Sequence, residues 1–215
     1  MIGSRNDQSI GETLFALAGI PFESLSGWPH VSDDEAELVG RCLQGDALAT
    51  RALIERFQPE VFGLCVRLLR HRHDAEDVVQ EVFLRIFRSL RGWDRTRPLK
   101  PWVMGIAVNR CRTWLAKRAR RPELVDYLQD TAPDRPAGDA AELASEIQAA
   151  LLDLRVEYRT VFVLFHEQGL PYEDIATALR RPVGTIKTWL HRARLELLDR
   201  LRRRGMIREV GHELP

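Results

Sequence analysis

A chain of 215 residues, 45% apolar and with a formal net charge of +1 at pH 7, is long enough for one large domain or two small ones and apolar enough for ordinary globular cores. No stretch approaches the roughly 18 consecutive apolar residues of a membrane span. The mildly apolar residues 14–22 lack a basic lead and contain Pro21, so a signal peptide is not expected either, and the reading is a cytoplasmic protein with no membrane contact.

The small net charge hides strong blocks. Residues 33–37 are acidic, 110–121 basic, 123–146 acidic with Arg135 as the one cation, and 180–204 dominated by arginine. Such alternation suits separate surfaces meeting different partners. Cys42, Cys65 and Cys111 are far apart, outside any CxxC pair and away from histidines at zinc spacing, so buried thiols in a reducing compartment are expected. His71 and His73 bracket Arg72 in a basic turn and read as solvated. Neither a metal site nor a cofactor nor a catalytic group is expected.

Residues 1–31 hold Gly, Ser and Pro without sustained periodicity and read as a partly disordered N-terminal extension. Ser32 with Glu35 three residues on forms a capping box for a helix through Leu38, Val39 and Cys42 that stops at Gly45. Asp46 caps the next helix, and Pro59 is expected to open another, with Val61, Leu64, Cys65 and Leu68 inward. Asp74 is expected to cap a fourth helix that buries Val78, Val82, Leu84, Ile86 and Phe87. Its Asp77, Gln80, Glu81 and Arg85 lie off that stripe. After a loop, a last helix from Pro101 to about Arg120 mixes Trp102, Val103, Ile106 and Cys111 with Asn109, Arg110 and Arg112. This domain spans 32–121. Residues 122–139 are acidic and proline-containing and bury too little apolar surface to offset their ordering entropy, so they read as a flexible linker.

Helical periodicity resumes at about Ala140 and continues to Arg204, followed by a tail, 205–215. Within it, Ile175, Ala176 and Leu179 form the inner face of one short helix, and Ile186, Leu190 and Ala193 that of a second, which Pro182 can open. Lys187, Thr188, His191, Arg192 and Arg194 remain for the outside. A helix-turn-helix whose second helix is basic suits the major groove of DNA. A plain helical hairpin with a solvated basic face is the alternative. No strand pattern appears, and the fold class is all-α, as two small helical domains joined by a flexible acidic linker.

This series of segments resembles the sigma-70 family of bacterial RNA polymerase sigma factors, in the small extracytoplasmic-function (ECF) group. Residues 74–87 are similar to region 2.2, residues 93–120, with Ile106-Ala-Val-Asn109, to regions 2.3 and 2.4, and residues 140–204 to region 4, most specifically in Gly184-Thr-Ile-Lys-Thr-Trp-Leu-His-Arg-Ala-Arg194. Nothing resembles regions 1.1 or 3. The resemblance implies a transcription initiation factor that is not an enzyme. Its partners would be the β′ and β subunits of core RNA polymerase, promoter DNA that is double-stranded at −35 and single-stranded at −10, and, as a regulator, an anti-sigma factor. It assigns Asp77, Gln80, Glu81 and Arg85 to the polymerase. It assigns Trp93, Lys100, Trp102, Asn109, Arg110 and Arg112 to the −10 strand, where stacking on an aromatic or Arg contributes about 1–3 kcal/mol per base. It assigns Arg181, Thr185, Lys187, Thr188, His191, Arg192 and Arg194 to the −35 duplex. The chain departs from the family at Pro98-Leu-Lys-Pro101, where an aromatic residue is common, at Arg180 in the turn, where Gly or Asn is common, and at Trp189, where a basic residue is usual.

Two other functions compete. A stand-alone helix-turn-helix regulator would bind DNA tightly without polymerase. An enzyme using Asp74, Glu76, Asp77 and Glu81 fails on spacing, because the Glu-x-x-His pair of helical di-metal sites and a Gly-rich phosphate loop are both missing. The family's two promoter elements lie about 17 base pairs, roughly 60 Å, apart, and a linker of about 20 residues spans up to roughly 70 Å when extended. Reversing the charge of Asp126, Asp130 and Asp134 is expected to weaken initiation more than binary DNA binding; equal run-off yields from the native and reversed chains would contradict a role for that charge.

Overall fold

The computed structural model describes residues 33–120 and 139–205. The expectations for the N-terminal extension, the Ser32 cap, nearly all of the linker and the C-terminal tail lie outside those residues. Among the described residues every regular element is helical: α1 (Asp33–Leu43), α2 (Ala47–Leu69), α3 (Arg72–Ser89), α4 (Leu99–Arg120), α5 (Asp139–Leu152), α6 (Val156–Phe162), α7 (Tyr172–Leu179) and α8 (Val183–Arg203). A short 3-10 turn, Leu90–Gly92, follows α3, and a π-helical turn, Val163–Glu167, extends α6.

Helices α1 to α4 form one bundle, in which Leu53, Phe57, Leu64 and Leu68 of α2 meet Val78, Val82 and Ile86 of α3 and Leu99, Val103, Met104 and Ala107 of α4. Asp46 caps α2 as expected, accepting from Leu48 N and Ala49 N. Pro59, however, lies inside α2 rather than at a helix start. The apolar stripe runs in phase through it, from Leu53 and Phe57 to Val61, Leu64 and Leu68, and burying that continuous face outweighs a proline cost of about 3 kcal/mol.

Two caps differ from expectation. His71, not Asp74, caps α3 through its ring nitrogen Nδ1, which accepts from Asp74 N at 3.4 Å. Asp74 instead accepts from Arg118 Nη1 of α4 at 2.7 Å. Glu35 does not turn back on its own helix: buried to 7% exposure, it accepts from Arg56 Nη2 at 2.8 Å and from the first backbone N–H of α4, Leu99 N, at 3.0 Å. A carboxylate there satisfies an N–H that has no partner within its helix and complements the helix dipole.

Leu84, expected inside, is 56% exposed. The buried stripe of α3 runs through Ala75, Val78, Val79, Val82, Phe83 and Ile86, and position 84 falls opposite it. Cys65 and Cys111, remote in sequence, meet across α2 and α4 with their Sγ atoms 3.6 Å apart, and contact with Cys111, with burial, pushes the Cys65 thiol up.

Helices α5 to α8 and the π turn form a second bundle around Val161, Leu164, Ile175, Ile186, Leu190 and Leu197. The apolar cluster is continuous with that of the first bundle, since α4 packs on α7 and α2 touches α6 and the π turn. Replacing Glu35 with Ala strands Leu99 N and should destabilise the first bundle by about 1–3 kcal/mol in urea unfolding. Glu35→Gln, which keeps an acceptor, should lose less.

Candidate nucleic-acid interface

Spacing along α3 places Asp77, Gln80, Glu81 and Arg85 together on the outer side of the helix, all four exposed. Asp77, Gln80 and Arg85 make no side-chain hydrogen bond to the described residues, whereas Glu81 accepts from Arg110 Nη2 of α4. The result is a solvated carboxylate–amide strip with the exposed Leu84 within it, suited to a basic helical partner, where charge matching sets specificity and encounter rate.

The groups expected to hold a melted strand are divided by the fold. Asn109 and Arg112 are exposed on α4, Trp102 is half-buried beside them, and Arg110 is engaged by Glu81. Lys100 is tied to Glu60 by a 2.7 Å ion pair at the start of α4. Trp93 is a core residue at 6% exposure, with its indole Nε1 buried and unpartnered. Packing under the 3-10 turn leaves it little face for stacking. Trp93, Arg97, Trp102 and Asn109 nonetheless line one cavity of about 250 Å³, with Asp174 and Thr177 of α7 on its far wall. In the loop before α4, Asp94 accepts from Thr96 N at 2.9 Å and from Thr96 Oγ1 at 2.7 Å, which fixes the turn and holds the Asp94 carboxyl below its usual range.

The helix-turn-helix forms as expected, with Ile175, Ala176 and Leu179 of α7 buried against Ile186, Leu190 and Ala193 of α8. Arg180 takes the left-handed turn position itself, at φ 52°, where glycine would be unstrained. Its N–H bonds to Ala176 O and Thr177 O. Arg181, Lys187, Thr188, His191 and Arg192 are exposed and Thr185 is half-exposed. Thr188 Oγ1 donates to Gly184 O, and Arg192 Nη1 to the Tyr158 hydroxyl at 3.3 Å. Trp189 is half-buried, with the Arg181 guanidinium 6.0 Å from its ring centre.

Arg194 is not on this surface. It is 6% exposed, with Nε donating to His166 Nε2 at 3.3 Å and its guanidinium 5.5 Å from the Phe165 ring centre. Position 194 follows Leu190 by one helical turn and so faces inward. Its acceptor His166 was missed in the sequence, where it is a lone histidine in an apolar run. Burial first, then the Arg194 charge, hold His166 down to about 3, so it is neutral and can accept the bond.

The family comparisons agree with this layout. Residues 53–121 match the model described as Sigma-70 region 2, and residues 144–197 match Sigma-70, region 4. The chain is 35% identical over 170 residues to the ECF RNA polymerase sigma-E factor of Haemophilus influenzae, covering 73% of this chain and 89% of that one. It is 32% identical over 181 residues to the RNA polymerase sigma-H factor of Pseudomonas aeruginosa, covering 78% and 93%. Among solved structures, the sigma factor RpoE in complex with the anti-sigma factor NepR from Bartonella quintana aligns with a TM-score of 0.61 at 22% identity, covering 71% of this chain and 96% of that one. CnrH in complex with the cytosolic domain of CnrY aligns at 0.58 and 24% identity, covering 77% and 96%.

A neutral buried His166 makes stability depend on pH. The unfolded chain binds a proton at this residue below about 6.5 and the folded chain only near 3, so stability falls as pH drops through that window. Between pH 7 and 5.5, where carboxylates still change little, the native chain should lose more of its urea midpoint than His166→Gln, which keeps an acceptor for Arg194.

Proposed function

The chain belongs to the ECF group of the sigma-70 family of bacterial RNA polymerase sigma factors, and we propose which of its surfaces perform that family's tasks. As a sigma factor it binds core polymerase and promoter DNA; a free-standing helix-turn-helix regulator would leave the region 2 match and the exposed strip of α3 without a purpose. Residues 32–121 form the polymerase-binding and −10 unit, 140–204 the −35 unit, and 122–139 the tether between them. Asp77, Gln80, Glu81 and Arg85 dock on the β′ subunit. Asn109, Trp102 and Arg112 hold the melted −10 strand, with Arg110 added when Glu81 is taken by the polymerase.

On the −35 side, α8 enters the major groove. Lys187, Thr188, His191 and Arg192 face base edges or adjacent phosphates, and Arg181 and Thr185 meet the backbone beside the turn. The protein supplies no catalytic group of its own and works in the cytoplasm, where its polymerase is. A protein regulator of the anti-sigma kind, as NepR is in the solved RpoE complex, is a further expected partner.

The observation that supports this most directly is that the polymerase strip and the reading helix are both solvent-exposed and lie on separate bundles matching the family's two regions. Asp77→Lys should weaken core association at least tenfold, or about 1.4 kcal/mol, in a pull-down, and abolish run-off transcription while leaving the fold intact. Lys187→Ala and Arg192→Ala should each cost about 1–3 kcal/mol in promoter binding by the holoenzyme if they touch bases. If they touch phosphates, each should lower the salt slope by about one. Run-off from a matched promoter that needs no added chain would refute the assignment.

A further inference from the structure

A residue on another helix holds one cation of the reading face of α8. Arg192 Nη1 donates to the Tyr158 hydroxyl of α6 at 3.3 Å, the one side-chain hydrogen bond that Arg192 makes among the described residues. Spacing along α8 offers Arg192 a different partner, Glu196, four residues on. Glu196 instead accepts from Arg200 Nη2 at 3.5 Å.

Tyr158 is anchored by burial. It is 4% exposed, its ring belongs to the apolar core, and the Arg155 guanidinium stands 5.2 Å from the ring centre. The hydroxyl is thus a point fixed by the core and offered to a side chain that is otherwise in solvent. The neighbouring contacts on α8 are of another kind. Thr188 Oγ1 returns to its own helix at Gly184 O, and Lys187 Nζ lies 5.5 Å from the Tyr172 ring centre, an attraction that aims no particular N–H.

The bond leaves Arg192 competent to read. A guanidinium has five N–H donors, and Tyr158 takes one at Nη1. Nε and Nη2, side by side on the other edge, form a fork of the kind that pairs with guanine O6 and N7. A hydroxyl leaves the charge of Arg192 intact, whereas a carboxylate in its place would compete with DNA for the cation. What the bond removes is the rotamer freedom of a long side chain, which binding would otherwise have to remove.

We propose that Tyr158 is a positioning residue for promoter recognition: its hydroxyl presets the Arg192 fork against a base pair of the −35 element. This rests on the assignment of Arg192 to the −35 duplex made above. Tyr158, being buried, acts through Arg192 and not on the DNA. Ordering one rotamer-rich side chain on binding costs about two- to twelvefold in affinity, and the hydroxyl spares that loss.

Holoenzyme assembled with the full-length chain selects from a pool of promoter duplexes randomised over the −35 region, and the selected duplexes are sequenced. The native chain, Arg192→Ala, Tyr158→Phe and the double variant are compared. Arg192→Ala should abolish preference at the base pair it reads. Tyr158→Phe keeps the buried ring and should weaken preference at that same base pair by about two- to twelvefold, leaving the other positions unchanged. The double variant should match Arg192→Ala. A merely structural Tyr158 would lower binding to every sequence alike; that pattern, or a native preference in Tyr158→Phe, overturns the proposal. If Arg192→Ala shifts no preference, the −35 assignment of Arg192 fails and the proposal with it, whereas a silent Tyr158→Phe alone leaves that assignment standing.

The bond is also read without DNA or polymerase. In nitrogen NMR spectra of the free chain, the Arg192 guanidinium should exchange its protons with water at least about threefold faster in Tyr158→Phe than in the native chain. Equal rates would overturn the positioning role and leave the −35 assignment untouched.

Discussion

Helix α4 meets two demands on one cylinder, and most of the structure follows from how they are met. Leu99, Val103, Met104, Ala107 and Cys111 bury completely and complete the core of the first bundle. The opposite side carries Asn109 and Arg112, exposed, and Trp102, half-buried, the groups proposed above to hold the melted strand. The second bundle also packs on α4, at Gly105, where there is no side chain, and Ala178 on α7 is small enough to meet it. The start of α4, the helix that carries the proposed strand-binding groups, is held from outside by Glu35 on Leu99 N, a carboxylate more than sixty residues earlier in the chain.

The parts legible in the sequence are those in which helical periodicity and a local signal agree. Asp46 caps where a cap was expected, the stripe 175, 176, 179 and 186, 190, 193 packs as the helix-turn-helix requires, and the exposed strip of α3 is where its departure from the buried stripe put it. The misreadings share a cause. Pro59 is a local signal overruled by a buried face that continues on both sides of it, and His71 takes a cap that Asp74 leaves for Arg118 across the bundle. Both outcomes depend on contacts to other helices, which periodicity within one helix does not encode.

Arg194 and Leu84 fail in opposite directions for one reason. Residue type suggested the outside for the arginine and the inside for the leucine, while the angular position on the helix dictates the reverse. Arg194 is tolerated inside because His166, neutral through burial and the neighbouring charge, accepts its hydrogen bond, and because Phe165 offers an aromatic face. A buried guanidinium against a neutral acceptor costs less than one left unpaired, but its partner lies in another helix and so was not visible as a pattern. The Cys65–Cys111 contact escaped for the same reason: forty-six residues separate the two thiols that the packing of α2 on α4 brings together.

The Glu81–Arg110 pair links the proposed polymerase strip to the proposed strand-holding helix. Its side chains are 36% and 50% exposed, and an ion pair that open to solvent contributes only about 0–1 kcal/mol. Exchange of Glu81 to a basic polymerase helix and of Arg110 to a phosphate therefore costs little, so neither surface is committed by holding the other. The contact between the bundles is different in kind. The apolar cluster runs across it, and where α6 meets α2 Arg159 is buried with a bond to Leu68 O, desolvation first and the nearby Arg70 charge second holding its guanidinium down to about 10. Salt that screens the exposed pair leaves such a contact largely untouched.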